Sequence, residues 1–203
     1  MREGGTLVLT CGSGWVDAED LVFEGGQPGP LRAVTGLWVE EYDPLNDGEL
    51  IRIEPSKEAA GLVPRGNAID LCERIHLETA RPLAHYASAF YAGEPCLAVN
   101  EFGKGRCYYV AFRTGAEFTD AFIEGVVQQM GLAGVWPTPL PIGVNVQRRA
   151  SEKGELLFIM NFNDHEVTVS GLGSNWIDIT TNQPISGTTT LSAFGVAVIW
   201  SQV

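Results

Sequence analysis

The run TLVLTCGSG, residues Thr6–Gly14, sets the class of the N-terminal half of the chain. Thr6–Cys11 is short and apolar, and Gly12-Ser13-Gly14 ends it abruptly, which is typical of a buried parallel strand. Apolar runs predict further strands at Leu37–Tyr42, Glu49–Glu54, Ala68–Leu77, Pro95–Asn100 and Arg106–Phe112. These strands, together with one helix, predict an α/β domain.

The helix follows the last of these strands. Thr114 and Glu117 have the spacing of a capping box, and Gly131 is a typical stop residue. Between these signals, four apolar residues recur every fourth position and predict one buried helix face: Phe118, Phe122, Val126 and Met130.

Proline marks a change in the chain near residue 136. Three prolines fall within residues 137–141, and proline fixes φ and removes a hydrogen-bond donor. We therefore predict a linker over residues 136–141, between domains at 1–135 and 142–203. The second domain is predicted to be a small all-β antiparallel sandwich, because it consists of short strand-like runs at close spacing: Gly143–Arg149, Glu155–Phe162, Glu166–Gly171, Trp176–Thr181, Thr188–Phe194 and Val196–Ser201.

Composition narrows the class of protein and its partners. The 203 residues include 13 basic and 25 acidic side chains, a net charge of −12, which disfavours a nucleic-acid partner. No apolar run approaches the ~20 residues that cross a bilayer, so no membrane partner is expected. Residues 1–5 do not resemble a secretory signal, and the four cysteines form no CxxC pair. These features predict a cytoplasmic location, reduced thiols and no zinc site.

One candidate nucleophile precedes the glycine turn. Cys11 could attack a carbonyl, with glycine amides as an oxyanion hole, in an amidotransferase-like hydrolase. None of the three histidines, His76, His85 and His165, comes with a carboxylate at a spacing that identifies a triad. The structural alternative is a strand that simply ends in a tight turn, and it is favoured.

Two further kinds of site are considered: a metal or acid/base cluster of acidic residues, and a sugar-binding surface of aromatic residues. Nine carboxylates fall between Asp17 and Glu49, but Glu40 and Glu41 are expected on opposite faces of a strand and should not converge. The five tryptophans could bind sugar, yet they are scattered and are assigned to packing: Trp15, Trp38, Trp136, Trp176 and Trp200. A carbohydrate-binding module stays an alternative. No catalytic, cofactor-binding or metal-binding residue is predicted.

Several motifs together resemble a known family. They are Gly12–Asp20, Gly25–Arg32 (GGQPGPLR), Glu40–Leu45 (EEYDPL), Phe90–Pro95, Asn100–Gly105, Pro141–Val144 and Phe158–Phe162. In this order they resemble the middle and C-terminal domains of glycoside hydrolase family 42 β-galactosidases, over nearly the whole chain.

The resemblance implies that this chain contains the non-catalytic domains of the family. Family members consist of a catalytic (β/α)₈ barrel, a flavodoxin-like trimerisation domain and a small β domain. Residues 1–135 would be the trimerisation domain, truncated at its N-terminal side, and residues 142–203 the β domain. The family's catalytic glutamates would lie in the absent barrel, which typically needs about 250 residues. The resemblance therefore implies a non-catalytic fragment and a homotrimer, with galactoside bound only through the barrel.

Overall fold

The structure is a computed structural model that describes residues 1–201. About half of the residues lie in strands and about an eighth in helices. The chain divides into two compact units, residues 1–132 and residues 133–203. No helix among the described residues is long and apolar enough to cross a bilayer.

The first unit contains eight strands and two α-helices. The strands are β1 (Thr6–Thr10), β2 (Leu37–Pro44), β3 (Ile51–Pro55), β4 (Gly66–Leu77), β5 (Arg81–Tyr86), β6 (Pro95–Phe102), β7 (Gly105–Val110) and β8 (Phe112–Thr114). The helices are α1 (Arg32–Thr35) and α2 (Ala116–Gln129), with 3₁₀ turns at Gly29–Leu31 and Lys57–Ala59. The predicted mixture of strands and helix is thus present.

One sheet joins all eight strands of this unit. Its order is β1-β7-β6-β5-β3-β4-β2, and β8 pairs with β4. β1 is parallel to β7, as its sequence predicts, whereas the other pairings are antiparallel. The prediction that this strand is buried is wrong: β1 lies at an edge of the sheet with β7 as its neighbouring strand, so its residues are only partly buried or exposed.

Helix α2 packs on this sheet through Phe118, Phe122 and Val126, the predicted face. The prediction is wrong for Met130, which is exposed and is the C-cap residue of the helix. The predicted capping box does not form. Gly115 is the N-cap, and the Thr114 hydroxyl instead donates to the main-chain carbonyl of Asn67 at 3.2 Å.

The second unit is all-β, as predicted. Its strands are β9 (Val144–Ser151), β10 (Gly154–Asn161), β11 (Val167–Asp178), β12 (Gln183–Leu191) and β13 (Val196–Ser201). They form a single antiparallel sheet, in the order β12-β11-β13-β10-β9, rather than the two sheets of a sandwich. The physical reason lies in β11. Two predicted strands merge there, because the intervening glycine-rich residues form register shifts within one strand and not a turn.

The predicted linker includes part of the second unit's core. Trp136 is 8% exposed and packs with Ile159 and Ile199. Its indole N–H donates to the carbonyl of Ser170 at 2.8 Å, and the Thr138 hydroxyl donates to the same oxygen at 3.3 Å. The proline-rich segment is therefore attached to the β unit by side-chain contacts.

Candidate functional site

A cleft of about 470 Å³ opens where β1 ends. Its walls are mostly apolar and include Val8, Phe112 and Phe122. The glycine turn after β1 supplies Gly12 and Trp15 to the same cleft, next to Cys11. The cleft has the size of a small-molecule site, so the chemistry of Cys11 decides whether it could be catalytic.

Cys11 lacks the features of an activated nucleophile. Partial burial and the nearby Glu73 carboxyl raise the pKa of its thiol to about 11, so the thiol is protonated at neutral pH. The turn amide that could serve as an oxyanion donor is already engaged, because the Gly12 N–H donates to Glu73 Oε1 at 2.7 Å. The arrangement is that of a structural turn.

Glu73 is a site residue that sequence reasoning missed. It lies in β4 with no exposed surface, and it accepts a second hydrogen bond from the Tyr109 hydroxyl to Oε2 at 2.8 Å. Burial raises the pKa of its carboxyl, and the hydrogen bonds from Gly12 and Tyr109 only partly offset this effect. Nothing in the strand pattern of residues 68–77 marks Glu73, because its donors come from β7 and from the turn after β1.

The histidines have other partners. His76 Nε2 lies 2.6 Å from Glu40 Oε2, and the imidazole stacks on Trp38 with ring centres 4.4 Å apart. His165, in the second unit, lies 3.0 Å from the Asp164 carboxylate. His85 is on β5, opposite Glu54 of β3. The three are thus distributed over separate surroundings.

Glu40 and Glu41 converge, contrary to the sequence prediction. A register irregularity between Val39 and Glu41 interrupts the alternation of β2, so both side chains reach Arg74. Arg74 Nη1 is 3.1 Å from Glu41 Oε2, and Nη2 is 3.7 Å from Glu40 Oε2. The result is an ion-pair cluster. Among residues 1–201, no group of three or more His, Cys, Asp or Glu side chains is arranged to hold a metal ion.

The tryptophans contact protein side chains. Trp38 stacks on the His76 ring, and the Arg32 guanidinium lies 5.9 Å from the Trp38 ring centre. Trp15 stacks on Tyr42 with ring centres 4.6 Å apart. Trp136 is buried and Trp176 packs on the same core. None of these contacts arranges a row of free aromatic faces that would favour sugar stacking.

Comparison with known proteins identifies the class. The family model described as the β-galactosidase trimerisation domain matches residues 1–133, and the model of the β-galactosidase C-terminal domain matches residues 143–200. The chain belongs to the glycoside hydrolase family 42 β-galactosidases, and it corresponds to their trimerisation and C-terminal domains.

Individual relatives agree with this assignment. The β-galactosidase Pbg of Clostridium perfringens is 38% identical over 98% of this chain and 29% of its own length. The crystal structure of a β-galactosidase from Bacillus circulans sp. alkalophilus has a TM-score of 0.85 at 38% identity, over 98% of this chain and 29% of that one. The structure of a cold-adapted β-galactosidase from Rahnella sp. R3 has a TM-score of 0.83 at 38% identity. The match covers 100% of this chain and 29% of that one. The chain therefore spans less than a third of the length of each of these three relatives.

Proposed function

We propose that this chain is the assembly part of a β-galactosidase and does not itself hydrolyse galactosides. Its work is to form subunit contacts of a homotrimer, while a barrel outside these residues binds and cleaves terminal β-galactosides. The observation that supports this proposal most is the match of residues 1–133 to the β-galactosidase trimerisation domain.

The lining of the cleft at the end of β1 supports the proposal that this chain does not hydrolyse galactosides. Retaining glycosidases place two carboxyl groups about 5–5.5 Å apart beside the scissile bond. Within residues 1–201, no aspartate or glutamate lines the cleft, and the Glu73 carboxyl, which accepts the N–H of the lining residue Gly12, is fully buried and also engaged by Tyr109. Such a group cannot reach a sugar.

The same proposal includes a flavodoxin-like fold for the first domain, the bounds of the two domains and a cytoplasmic location. A flavodoxin-like first domain is supported by the parallel β1–β7 pair and by α2, which follows β8 and packs on the sheet. A division into domains 1–135 and 142–203 is supported by the gap between the two family matches. Residues 136–141 would connect the two domains, with Trp136 and Thr138 held against the second one. A cytoplasmic location is supported by four free cysteines, Cys11, Cys72, Cys96 and Cys107.

Galactoside hydrolysis tests the proposal. The purified 203-residue chain is incubated with lactose and with a nitrophenyl β-galactoside, alongside the Clostridium perfringens β-galactosidase as a positive control. We expect no turnover above buffer from this chain. A clear rate that copurifies with the chain would overturn the proposal. The Glu73→Gln variant serves as a matched control, and its galactoside hydrolysis should likewise not exceed that of buffer.

A further inference from the structure

Among the Asp, Glu, Lys and Arg side chains of residues 1–201, Glu73 is the one that is fully buried. Its carboxyl joins two parts of the first unit. Oε1 accepts the Gly12 N–H at 2.7 Å, at the start of the turn after β1, and Oε2 accepts the Tyr109 hydroxyl at 2.8 Å, from β7. Membership of the β-galactosidase family does not by itself assign a role to this carboxyl.

No cation compensates the carboxyl. It forms no ion pair within the described residues, and the nearby cation Arg113 acts on Cys11 instead. The groups packed around it from neighbouring elements have pKa values raised by burial and are neutral at pH 7: Cys11 after β1, Tyr42 of β2, Cys72 of β4, Tyr86 of β5 and Tyr109 of β7. An ionised Glu73 would thus be stabilised by two hydrogen bonds alone, and a buried carboxylate in such surroundings is costly.

The neutral carboxyl fits the same geometry without that cost. Its carbonyl oxygen accepts the Gly12 N–H, and its hydroxyl can donate to the Tyr109 oxygen, because a 2.8 Å O–O distance suits either direction. We propose that Glu73 is a pH-sensitive latch: the Cys11–Trp15 turn stays closed over the neutral carboxyl, and ionisation favours an open turn in which water solvates the carboxylate. Since Gly12 and Trp15 line the cleft at the end of β1, the latch controls one wall of that cleft.

The direction of the pH effect follows from linkage. Burial raises the pKa of Glu73 in the closed turn above the value of 4.5 for an exposed glutamate. The closed turn is therefore fully favoured below that exposed value, and the advantage is lost as the pH rises through the pKa of the latched carboxyl. Each unit of difference between the two pKa values corresponds to about a tenfold change in the closing equilibrium.

Hydrogen exchange of the Cys11–Trp15 amides tests the latch. Exchange is measured by mass spectrometry on the 203-residue chain between pH 4 and pH 8 and divided by the intrinsic rates of an unstructured peptide. We expect the protection of this segment to fall with rising pH, by about tenfold per unit of pKa difference. In Glu73→Gln, whose amide can keep both hydrogen bonds, protection should be independent of pH.

Two further variants keep the test decisive. Glu78→Gln, which removes an exposed carboxylate paired with Arg32, should behave like the unmodified chain. Tyr109→Phe removes one donor from the ionised carboxylate and should enlarge the fall, which provides an independent readout if Glu73→Gln does not fold. The proposal is overturned if the unmodified chain shows no pH-dependent protection, or if Glu73→Gln loses protection as the unmodified chain does.

Discussion

Arg74 and Glu94 form a two-point ion pair. Arg74 Nε is 3.0 Å from Glu94 Oε2, and Arg74 Nη2 is 2.7 Å from Oε1. The same guanidinium contacts Glu41 and lies over the ring of Phe90, 5.6 Å from its centre. One side chain on β4 thus joins β2 to the segment that precedes β6, and it offsets the charge of several carboxylates.

Replacing Arg74 should therefore destabilise the first unit. In Arg74→Met, the carboxylates of Glu40, Glu41 and Glu94 lose their shared cation and repel one another. We expect a lower melting temperature, and 0.5 M NaCl should recover part of the loss, because salt screens exposed charges. Differential scanning calorimetry provides the measurement.

Arg32→Met is the matched control for that measurement. Arg32 pairs with a single carboxylate, that of Glu78, at the surface. Exposed pairs of this kind contribute little to stability, so the melting temperature should fall less than in Arg74→Met. Equal effects of the two substitutions would contradict a special role for the Arg74 cluster.

Asn161 should be a stability determinant of the second unit. Its side chain is 2% exposed, and its amide donates to the carbonyls of His165 and Ser192, both at 2.8 Å. Its Oδ1 accepts from the main-chain N–H of Asn163 at 3.0 Å. Asn161→Ala removes these hydrogen bonds to part-buried main-chain groups, and each such bond typically contributes about 0.5–1.5 kcal/mol. Urea denaturation should show the loss.

Asn161→Asp separates hydrogen bonding from packing. The shape is kept, but a carboxylate would face the two carbonyl oxygens of His165 and Ser192, so the loss should exceed that of Asn161→Ala at pH 7. The exposed substitution Asn175→Asp serves as a control and should change the unfolding free energy by less than about 0.5 kcal/mol. A neutral effect of Asn161→Asp would show that the carbonyls are not held against the amide.

Cys11 should react slowly with alkylating reagents. Its thiol pKa of about 11, raised from 9.0, lowers the thiolate fraction at pH 7.5 by about a hundredfold relative to an ordinary cysteine. Iodoacetamide labelling followed by peptide mapping measures this, and the urea-unfolded chain provides the reference rate. Rapid selective labelling of Cys11 in the folded chain would instead favour the hydrolase alternative.

Local patterns were sufficient to predict much of the fold. The apolar run of β1 before Gly12 predicted a parallel strand, and the four-residue spacing of Phe118, Phe122 and Val126 predicted the buried face of α2. Each pattern depends on residues close together in the chain. The order of the strands was not predictable in this way, because strand pairing joins residues far apart in sequence.

The misses share a physical cause. The bulge at Glu41 and the register shifts of β11 change which way side chains point, and period-two alternation cannot anticipate them. Thr114 and Glu117 have the spacing of a capping box, but the Thr114 hydroxyl donates to the carbonyl of Asn67 on β4 instead. Glu73 was missed for the same reason, because its role depends on contacts with two distant segments.

The molar mass of the chain in solution shows whether it forms the proposed homotrimer. Size-exclusion chromatography with multi-angle light scattering, at several protein concentrations, reports the assembly state without an activity assay. We expect a species with three times the mass of one chain, which dissociates only on dilution. A chain that stays monomeric at the highest concentration would contradict its assignment as the part that assembles the trimer.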